Sequence, residues 1–437
     1  MKMKRLLLVI KDHLEFKFIM NDYFLTPFFR KFDVTLMCPE NSDKFFRASV
    51  SSKFPKIKFL NLWPEEEICL KDKIIYWAKS EAFFILNAYK SESCFQKVFL
   101  NLELPLRQIL KKVQIKNLII LFSPFFNNNV LENLLKIFIF PVFSVLLLFR
   151  TYIYSHRRFF SKLDLYENIN FDYILWGRPY SITNIPIYNT FTHNSTKIVT
   201  ICRNFDTPAL KGIFTVPSHF TIVFDKILYN HLATLNCPLN FGKAILYEHP
   251  IRFFKRGINK EEEKVKNILY ATISPWFIPD EDKIVERLYN FVAEEMKEEF
   301  TLFLRIHQDD DVERYKKIYG HKNIALEKKF YKQDFKTFSG RKECFPTPDE
   351  IEVFYDRLQN MDIVFSSGST INYEALLLGV KTVFLKPIDS INWIFKRDHL
   401  KILTKNYKIP IIENIEDVRK YLGHLVEKSH QNIKKIQ

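Results

Sequence analysis

The sequence predicts an α/β protein with two doubly wound parallel sheets, and three observations support this prediction. Short apolar runs of strand length alternate with helical patterns, which is the order expected of parallel strands joined by helices. The length of 437 residues suits two domains of ordinary size. A charged stretch at residues 259–266 interrupts the alternation, so the predicted domains are 1–258 and 259–437.

Apolar runs of strand length recur through the first predicted domain. They are Leu6–Ile10, Phe32–Met37, Ile57–Leu60, Asn117–Phe122, Tyr173–Trp176, Lys197–Cys202 and Phe220–Phe224. Helical patterns lie between the first two runs, over residues 71–112 and over Lys226–Leu235. The segment Gly242–Pro250 ends this domain.

The second predicted domain repeats the alternation. Its strands are predicted at Asn267–Thr272, Thr301–Ile306, Ile324–Leu326, Ile363–Phe365 and Thr382–Leu385. Its helices are predicted at Glu281–Glu298, at Pro348–Gln359, from Ile371 to Gly379, and within residues 415–434.

The composition describes a folded globular chain with a basic surface. Hydrophobic residues make up 47% of the chain and no internal repeat is visible, so neither a disordered nor a repetitive protein is expected. The formal charge of +15 favours anionic partners such as phosphates, nucleic acid or anionic lipid. Abundant Lys, Ile, Phe and Asn, typical of an AT-rich genome, explain about half of this excess. Because no nucleic-acid-binding motif is present, nucleic acid is not a predicted partner.

The six cysteines and the start of the chain favour the cytoplasm. The cysteines are Cys38, Cys69, Cys94, Cys202, Cys237 and Cys344, and none has CxxC spacing. A disulfide framework and a zinc site are therefore not predicted. The first apolar run is too short for a secretion signal and is interpreted as a strand.

One segment suggests contact with a membrane. The apolar run Leu134–Phe149 is followed by basic residues at Arg150, Arg157 and Arg158. The run is shorter than the roughly 20 residues that span a bilayer, and Lys136 and Pro141 interrupt it. A buried helix pair and a true span are the alternatives to an apolar and basic surface, residues 134–160, that lies on an anionic leaflet.

The most informative stretch is MDIVFSSGSTINYEALLLGVKTVFL, residues 361–385. It predicts a buried strand, a turn at Ser366-Ser367-Gly368-Ser369-Thr370, a helix, and a second buried strand. Hydroxyl groups and open backbone amides at the start of a helix are suited to binding a phosphate group. Glu374 lies one turn further on, where its carboxylate can reach a ribose. The alternative is an ordinary strand-to-helix loop with an N-cap.

A second candidate site follows the strand that ends in FLRIH. Arg305 and His307 lie at the carboxyl end of this strand, which is the edge where open α/β sheets bind ligands. Arg305 can pair with a phosphate group through two hydrogen bonds. The acids Asp309, Asp310 and Asp311 come next, and we interpret them as helix-start residues rather than a metal site.

These motifs resemble the donor-nucleotide site of glycosyltransferases with the B-type fold, also called GT-B. The resemblance implies two Rossmann-like domains facing a cleft, with the nucleotide on the second domain and the last helix returning to the first. It implies that Ser366–Thr370, Arg305 and His307 contact the donor phosphates and that Glu374 holds the ribose. Gln308 replaces the proline that usually follows the histidine. The loop ISPWFIPDE is similar to the loop that faces the donor in this group, which adds Ser274 to the donor site.

The stretch Ile201–Pro217 resembles the acceptor side of surface-carbohydrate glycosyltransferases. Those enzymes have a W-D-N-type motif followed by Lys-Gly, and here the tryptophan is missing. The resemblance suggests Thr207 and Lys211 as acceptor-binding residues.

The catalytic base remains open between three residues. A carboxylate or an imidazole must take the acceptor proton when a sugar is displaced directly. Asp12 and His13 directly follow the first strand, and Asp206 is the other candidate. Arg178, after the strand that ends at Trp176, is a candidate for binding an anionic acceptor or is a turn residue.

The resemblance implies a metal-independent glycosyltransferase without a cofactor, whose nucleotide-sugar donor is a substrate. Its acceptor would be a surface glycan or a lipid-linked glycan, and the enzyme would lie on the inner face of the cytoplasmic membrane. Two alternatives share the fold: a nucleotide-sugar 2-epimerase and a polyol-phosphate transferase. A third alternative is a non-catalytic protein that binds glycan or lipid at the membrane.

The membrane hypothesis predicts that the purified protein sediments with anionic vesicles. Salt should weaken this association because it screens exposed charges. Replacing Arg157 and Arg158 with glutamine should weaken it further, and this is measured by vesicle sedimentation. No sedimentation at low salt would contradict the hypothesis.

Overall fold

A computed structural model describes residues 3–10, 19, 22–39, 44–62, 169–177, 184–192, 195–202, 217–234, 242–254, 265–275, 278, 280–296, 300–307, 310–327, 347–386, 395 and 398–422. They fall into two compact units, each containing a parallel sheet. The first unit takes its described residues from Met1–Lys11, Phe28–Glu40 and Lys56–Tyr247, and the second from Asp12–Pro27, Asn41–Pro55 and Glu248–Gln437. The boundary at residue 258 stays a prediction, since residues 255–264 lie outside the described residues.

The first unit contains a sheet of seven parallel strands among the described residues. They are β1 (Lys4–Val9), β2 (Phe32–Pro39), β3 (Lys58–Leu62), β4 (Tyr173–Trp176), β5 (Lys197–Cys202), β6 (Phe220–Val223) and β7 (Lys243–Leu246). Their order is β3-β2-β1-β4-β5-β6-β7, and every pairing is parallel. The central strands β1 and β4 are nearly continuous apolar runs, as expected of strands covered on both faces.

Four described helices precede residue 258, and two of these, at residues 22–31 and 44–53, lie mostly or wholly in the second unit. The four helices are α1 (Asp22–Lys31), α2 (Lys44–Lys53), α3 (Asn184–Phe191) and α4 (Lys226–Thr234). The predicted helical stretch between the first two strands is confirmed as α1, and the run predicted at Lys226–Leu235 is confirmed as α4. The sequence analysis missed α2, which has little hydrophobic periodicity: its sequence, KFFRASVSSK, ends in small polar residues.

The second unit contains six parallel strands in the described part of the chain. They are β8 (Asn267–Ala271), β9 (Thr301–Arg305), β10 (Ile324–Leu326), β11 (Ile363–Ser366), β12 (Lys381–Leu385) and β13 (Ile411–Ile412). Their order is β10-β9-β8-β11-β12-β13, again with parallel pairing. The five strands predicted for this half are confirmed within a residue, while the two-residue strand β13 was too short to predict.

The helices of the second unit cover this sheet. They are α5 (Glu281–Met296), α6 (Lys316–Tyr319), α7 (Pro348–Gln359), α8 (Ile371–Leu377), α9 (Asp398–Asn406) and α10 (Arg419–Leu422). Helix α8 ends at Leu377, two residues before the predicted end at Gly379, and Gly379 has φ 85°. The Gly379 amide donates to Leu376 and the Val380 amide to Ala375, the pattern of a helix end that favours glycine. Of the segment 415–434 predicted to contain the last helices, residues 423–434 lie outside the described residues.

The core of the second unit forms between α5 and the sheet. Val285, Leu288 and Val292 recur at helical spacing on α5 and are fully buried. They belong to one apolar cluster with Leu304 of β9 and Phe365 of β11. This packing fixes the strands, and with them the positions of the residues that follow each strand.

Several predictions fall outside the described residues. They concern the helical region 71–112, the strand Asn117–Phe122 and the apolar and basic segment 134–160. No helix in the described part of the chain is long and apolar enough to span a membrane.

Helix α7 begins with a reciprocal cap that provides a stability test. The Glu350 amide donates to Thr347 Oγ1 at 3.2 Å, and the Thr347 amide donates to Glu350 Oε2 at 2.7 Å. Thr347→Ala removes the first of these bonds and should lower the free energy of unfolding by about 1 kcal/mol. Urea denaturation measures this loss, and Thr347→Ser, which keeps the hydroxyl group, should be close to the native protein. Equal losses in both variants would contradict the role of the cap.

Candidate functional site

The strand order of the second sheet reverses between β8 and β11. The chain runs outward in one direction through β9 and β10 and in the other through β12 and β13. The loops that follow β8 and β11 therefore run in opposite directions at the carboxyl edge of the sheet. This position is where open α/β sheets bind ligands. The residues at this edge follow Ala271 of β8, Arg305 of β9 and Ser366 of β11.

The turn after β11, Ser366–Thr370, is held by its first hydroxyl group. Ser366 Oγ accepts hydrogen bonds from the backbone amides of Gly368 at 3.2 Å and of Ser369 at 3.0 Å. The same hydroxyl donates to Asn372 Oδ1 at 2.7 Å, and the Asn372 amide group donates to the carbonyl of Val383 at 3.1 Å. Two amides that the sequence analysis counted as open are thus engaged within the turn.

The residues of this β11 turn differ in exposure. Ser366 and Ser367 are fully buried, whereas Gly368, Ser369 and Thr370 are partly exposed. Gly368 has φ 120°, a backbone conformation that strongly favours glycine. The structure uses the hydroxyl groups of Ser366 and Ser367 to build the turn, so Gly368–Thr370 is the part accessible from outside.

Hydrogen bonds also join the ends of β8 and β9. The Thr272 amide donates to the carbonyl of Arg305 at 3.0 Å, and the His307 amide donates to Thr272 Oγ1 at 2.6 Å. The Asp310 amide then donates to the carbonyl of His307 at 3.0 Å. Both Arg305 and His307 are partly exposed at this edge of the sheet, although Nη1 of Arg305 is buried.

Arg305 and Glu374 belong to one cluster built around helix α7. The Arg305 guanidinium lies over the ring of Phe354, 4.3 Å from its centroid. The Tyr355 hydroxyl donates to Glu374 Oε2 at 3.5 Å, and its ring stacks on Phe254 with centroids 4.7 Å apart. Glu374 is buried, with 7% of its surface exposed.

The pKa of Tyr355 is changed by its burial and by the charged residues around it. Burial raises this pKa well above its ordinary value, and the nearby Glu374 carboxylate raises it further, while Arg305 lowers it. The tyrosine therefore stays protonated and is a hydrogen-bond donor to Glu374. Through Tyr355, the cationic and anionic residues predicted for the donor site lie beside the same hydroxyl group.

A second buried cluster lies behind the β11 turn. The Tyr270 hydroxyl donates to Glu281 Oε1 at 3.1 Å and lies 2.8 Å from Ser367 Oγ. The Ile273 amide donates to Glu281 Oε2 at 2.8 Å. Glu281, the first residue of α5, thus joins the loop after β8 to the turn after β11.

Burial dominates the pKa of Glu281 and raises it from the ordinary 4.5 to about 8. Hydrogen bonds from Ile273, Tyr270 and Ser367 lower the pKa, and the neighbouring Asp310 carboxylate raises it. A shift of this size corresponds to several kcal/mol. It exceeds the roughly 0.3–1 kcal/mol by which a helix N-terminus favours a carboxylate. The carboxyl group is therefore mainly neutral near pH 7.

Two acids of the run after β9, Asp310 and Asp311, make hydrogen bonds within the second unit, and Asp309 lies outside the described residues. Asp311 caps a short 3-10 helix by accepting the Glu313 amide at 3.0 Å. Asp310 is buried, accepts the Tyr315 hydroxyl at 2.8 Å and pairs with Arg314. Within the described residues, no group of His, Cys, Asp and Glu side chains has the arrangement of a metal site.

The predicted site residues fall into two groups. Those that the structure describes all belong to the second unit, either as the last residue of β9 or β11 or in the segments that follow β8, β9 and β11. They are Ser274, Arg305, His307, Ser366, Ser367, Gly368, Ser369, Thr370 and Glu374. The candidates Asp12, His13, Arg178, Asp206, Thr207 and Lys211 lie outside the described residues. The binding and catalytic roles of both groups stay predictions.

The sequence analysis missed the residues that support the site. Asn372 and Glu281 are polar residues that are fully buried. The stretch around Asn372 is apolar, and its single amide gave a weak signal. Glu281 resembles an ordinary acid at a helix start, and the partners of Tyr270 and Tyr355 lie far away in sequence, so no spacing rule identifies them.

Comparison with known proteins agrees on the fold. No family model and no curated protein sequence matches the chain. A solved structure from Listeria monocytogenes, described as a putative UDP-N-acetylglucosamine 2-epimerase, aligns with a TM-score of 0.50 and 12% identity over 100% of this chain and 91% of that one. The S. aureus MnaA–UDP structure aligns with a TM-score of 0.48 and 11% identity, over 96% of this chain and 88% of that one. Acinetobacter baumannii MurG aligns with a TM-score of 0.40 and 8% identity, over 99% of this chain and 93% of that one.

At these identities the similarity concerns the fold, and of these three structures the Listeria protein reaches a TM-score of 0.50. Together with the two parallel sheets, it shows a protein with two Rossmann-like domains, the B-type glycosyltransferase fold. The fold class predicted from the sequence is confirmed.

The buried Glu281 carboxyl group predicts a stability that depends on pH. Its pKa is higher in the folded protein than in the unfolded chain, so the folded protein binds more protons between about pH 4.5 and pH 8. The contribution of Glu281 to stability is therefore fully present below the unfolded pKa and is lost as pH rises through about 8. Glu281→Gln cannot ionise and should reduce the fall in melting temperature between about pH 5 and pH 9.

The melting temperature of both proteins is measured by calorimetry across this pH range. Glu294→Gln is the matched control, because Glu294 is exposed on the same helix. This control should follow the native profile. Identical slopes for the native protein and Glu281→Gln would show that Glu281 ionises normally.

Proposed function

We propose that this protein is a glycosyltransferase that moves a sugar from a nucleotide-sugar donor to a surface glycan or a lipid-linked acceptor. The observation that carries the proposal is the arrangement at the carboxyl edge of the second sheet. There Arg305 ends β9 on one side of the position where the strand order reverses, and the partly exposed residues Gly368–Thr370 and then Glu374 follow β11 on the other side.

The donor phosphates would lie against cationic and hydrogen-bonding groups of this edge. Arg305 is suited to a phosphate because its planar guanidinium forms paired hydrogen bonds and is already oriented by Phe354. His307 and the partly exposed Ser369 and Thr370 would supply further donors. Such groups stabilise the negative charge that develops on the departing phosphate.

Glu374 would bind the ribose of the donor. A carboxylate accepts hydrogen bonds from a pair of hydroxyl groups, and Tyr355 holds this one at 3.5 Å. Ser274, which follows β8, would complete the donor side. Ser274 is buried, with 7% of its surface exposed, so we propose that the loop around it, rather than its side chain, contacts the donor.

The acceptor half of the proposal comes from the sequence. Asp12, His13 or Asp206 would take the acceptor proton, and Arg178, Thr207 and Lys211 would bind the acceptor. No cofactor is proposed, and no metal is required where Arg305, His307 and the turn stabilise the leaving group. The basic segment 134–160 would hold the enzyme against the inner face of the cytoplasmic membrane.

A nucleotide-sugar 2-epimerase is the second candidate. The Listeria monocytogenes protein with the same fold carries that description, and its substrate is a UDP-sugar by name. An epimerase must move protons at the sugar ring and therefore needs acidic groups near the sugar. The described donor edge offers Glu374, which the proposal uses for the ribose. A polyol-phosphate transferase and a non-catalytic binding protein remain as further alternatives.

The first experiment is calorimetric titration of the purified protein with UDP, GDP, CDP and CMP. One nucleotide should bind at about micromolar affinity. Arg305→Ala should weaken it by about tenfold to a hundredfold and Glu374→Ala by about tenfold, because each removes a charged hydrogen-bond partner. Arg287→Ala and Glu294→Ala remove exposed charges from α5 and should bind like the native protein.

The products then separate the candidate activities. A transferase releases nucleotide and forms a new glycosidic product when acceptor is added, while an epimerase changes the sugar without an acceptor. Full activity of both Arg305→Ala and Glu374→Ala in cells that lack the native copy would exclude the enzymatic proposal at this edge.

A further inference from the structure

We propose that Glu281 is a positioning residue whose proton holds the loop after β8 and the turn after β11 in one arrangement. The inference rests on the proposed function in one respect, namely that the β11 turn faces an anionic ligand. It assigns a role to a buried carboxyl group that makes no ligand contact itself.

The geometry places Glu281 between the two loops. One oxygen of its carboxyl group accepts the Ile273 amide at 2.8 Å, just beyond the end of β8. The other oxygen lies 3.1 Å from the Tyr270 hydroxyl, which lies 2.8 Å from Ser367 Oγ in the β11 turn. A continuous hydrogen-bonded chain therefore runs from the β8 loop through Glu281 and Tyr270 to the turn.

The proton on Glu281 sets the direction of this chain. When Glu281 is ionised, Tyr270 donates to the carboxylate and Ser367 donates to the Tyr270 oxygen. When Glu281 is protonated, its hydroxyl donates to Tyr270, and Tyr270 donates to Ser367. The ionised form also places a negative charge behind the part of the turn, Gly368–Thr370, that would face a phosphate.

Burial and the Asp310 carboxylate favour the protonated form of Glu281, against the hydrogen bonds from Ile273, Tyr270 and Ser367. Asp310, from the loop after β9, adds a negative charge on one side, and Tyr315 packs nearby with a pKa raised chiefly by burial and by Glu281. Arg314 is engaged with Asp310 and with Asp282 at 3.0 Å. Tyr270 and Ser367 complete the surroundings as neutral donors. Burial raises the pKa of Glu281 to about 8, in the range where a small change in pH alters its charge.

Two consequences follow for a phosphate ligand. Ionisation of Glu281 should weaken anion binding, since charges interact strongly in an interior of low dielectric constant. Conversely, binding of an anion near pH 8 should draw a proton onto Glu281, because the two processes are linked.

The test measures UDP affinity at about pH 7.5 and about pH 8.8, where the phosphate groups of UDP stay ionised and its uracil stays mainly neutral. The native protein should bind UDP several times more weakly at the higher pH. Glu281→Gln, which keeps a neutral donor and acceptor in place, should change by less than about twofold. Glu294→Gln should follow the native protein. Equal pH dependence in the native protein and Glu281→Gln would overturn the proposal.

Hydrogen exchange supplies a second readout that needs no ligand. In the native protein, segments that contain Ile273 and Ser367 should both lose protection at the higher pH, after correction for intrinsic exchange rates. In Ser367→Ala, the segment that contains Ile273 should keep this response. The segment that contains residue 367 should lose it, because the turn is then no longer hydrogen-bonded to Tyr270. Unchanged protection of both native segments would overturn the positioning role.

The two readouts also separate this inference from the proposed function. If UDP and the other nucleotides fail to bind at either pH, the donor site is wrong, and hydrogen exchange alone decides the role of Glu281. If a nucleotide binds with no pH response and exchange is unchanged, the donor site stands and the positioning role fails.

Discussion

The second domain depends on a constraint at one edge of its sheet: polar groups must be buried there for the loops to converge. Tyr270, Glu281 and Ser367 are removed from water, and each needs a partner because a buried polar group without one costs about 1–3 kcal/mol. The partners come from different loops, so satisfying them brings the loops together. The same requirement places Asn372 between Ser366 and Val383.

This constraint separates residues that build the site from residues that present it. The hydroxyl groups of Ser366 and Ser367 are directed inward, which leaves Gly368, Ser369 and Thr370 partly exposed. A similar division applies to the charged residues, where Phe354 contacts Arg305 of β9 and Tyr355 contacts Glu374 in the helix after β11. A rigid inner layer lowers the cost of ordering a binding surface, which is a general requirement for tight and specific sites.

The sequence predicted the elements that have strong local signals. Strands such as β11 are continuous apolar runs, and helix α7 begins with a capping box and proline and ends where its periodicity stops. Helix α2 and strand β13 were missed because tertiary packing, rather than local pattern, defines them. The positions of Arg305 at the end of β9 and of Glu374 in helix α8 were predictable, but their shared neighbour Tyr355 was not. Its bond to Glu374 joins two helices whose relative placement the sequence does not contain.

Glu281 shows why a helix start can mislead. Acids are common in the first turn of a helix because the dipole favours them, and Glu281 and Asp282 fit that pattern equally well. The structure distinguishes them. Asp282 is partly exposed and pairs with Arg314, whereas Glu281 is fully buried against Tyr270. An acid that only interacts with the helix dipole must be charged to stabilise the helix, whereas a buried acid that bridges two loops is more stable in its neutral form. The response of the two loops to pH therefore decides which physical effect accounts for Glu281.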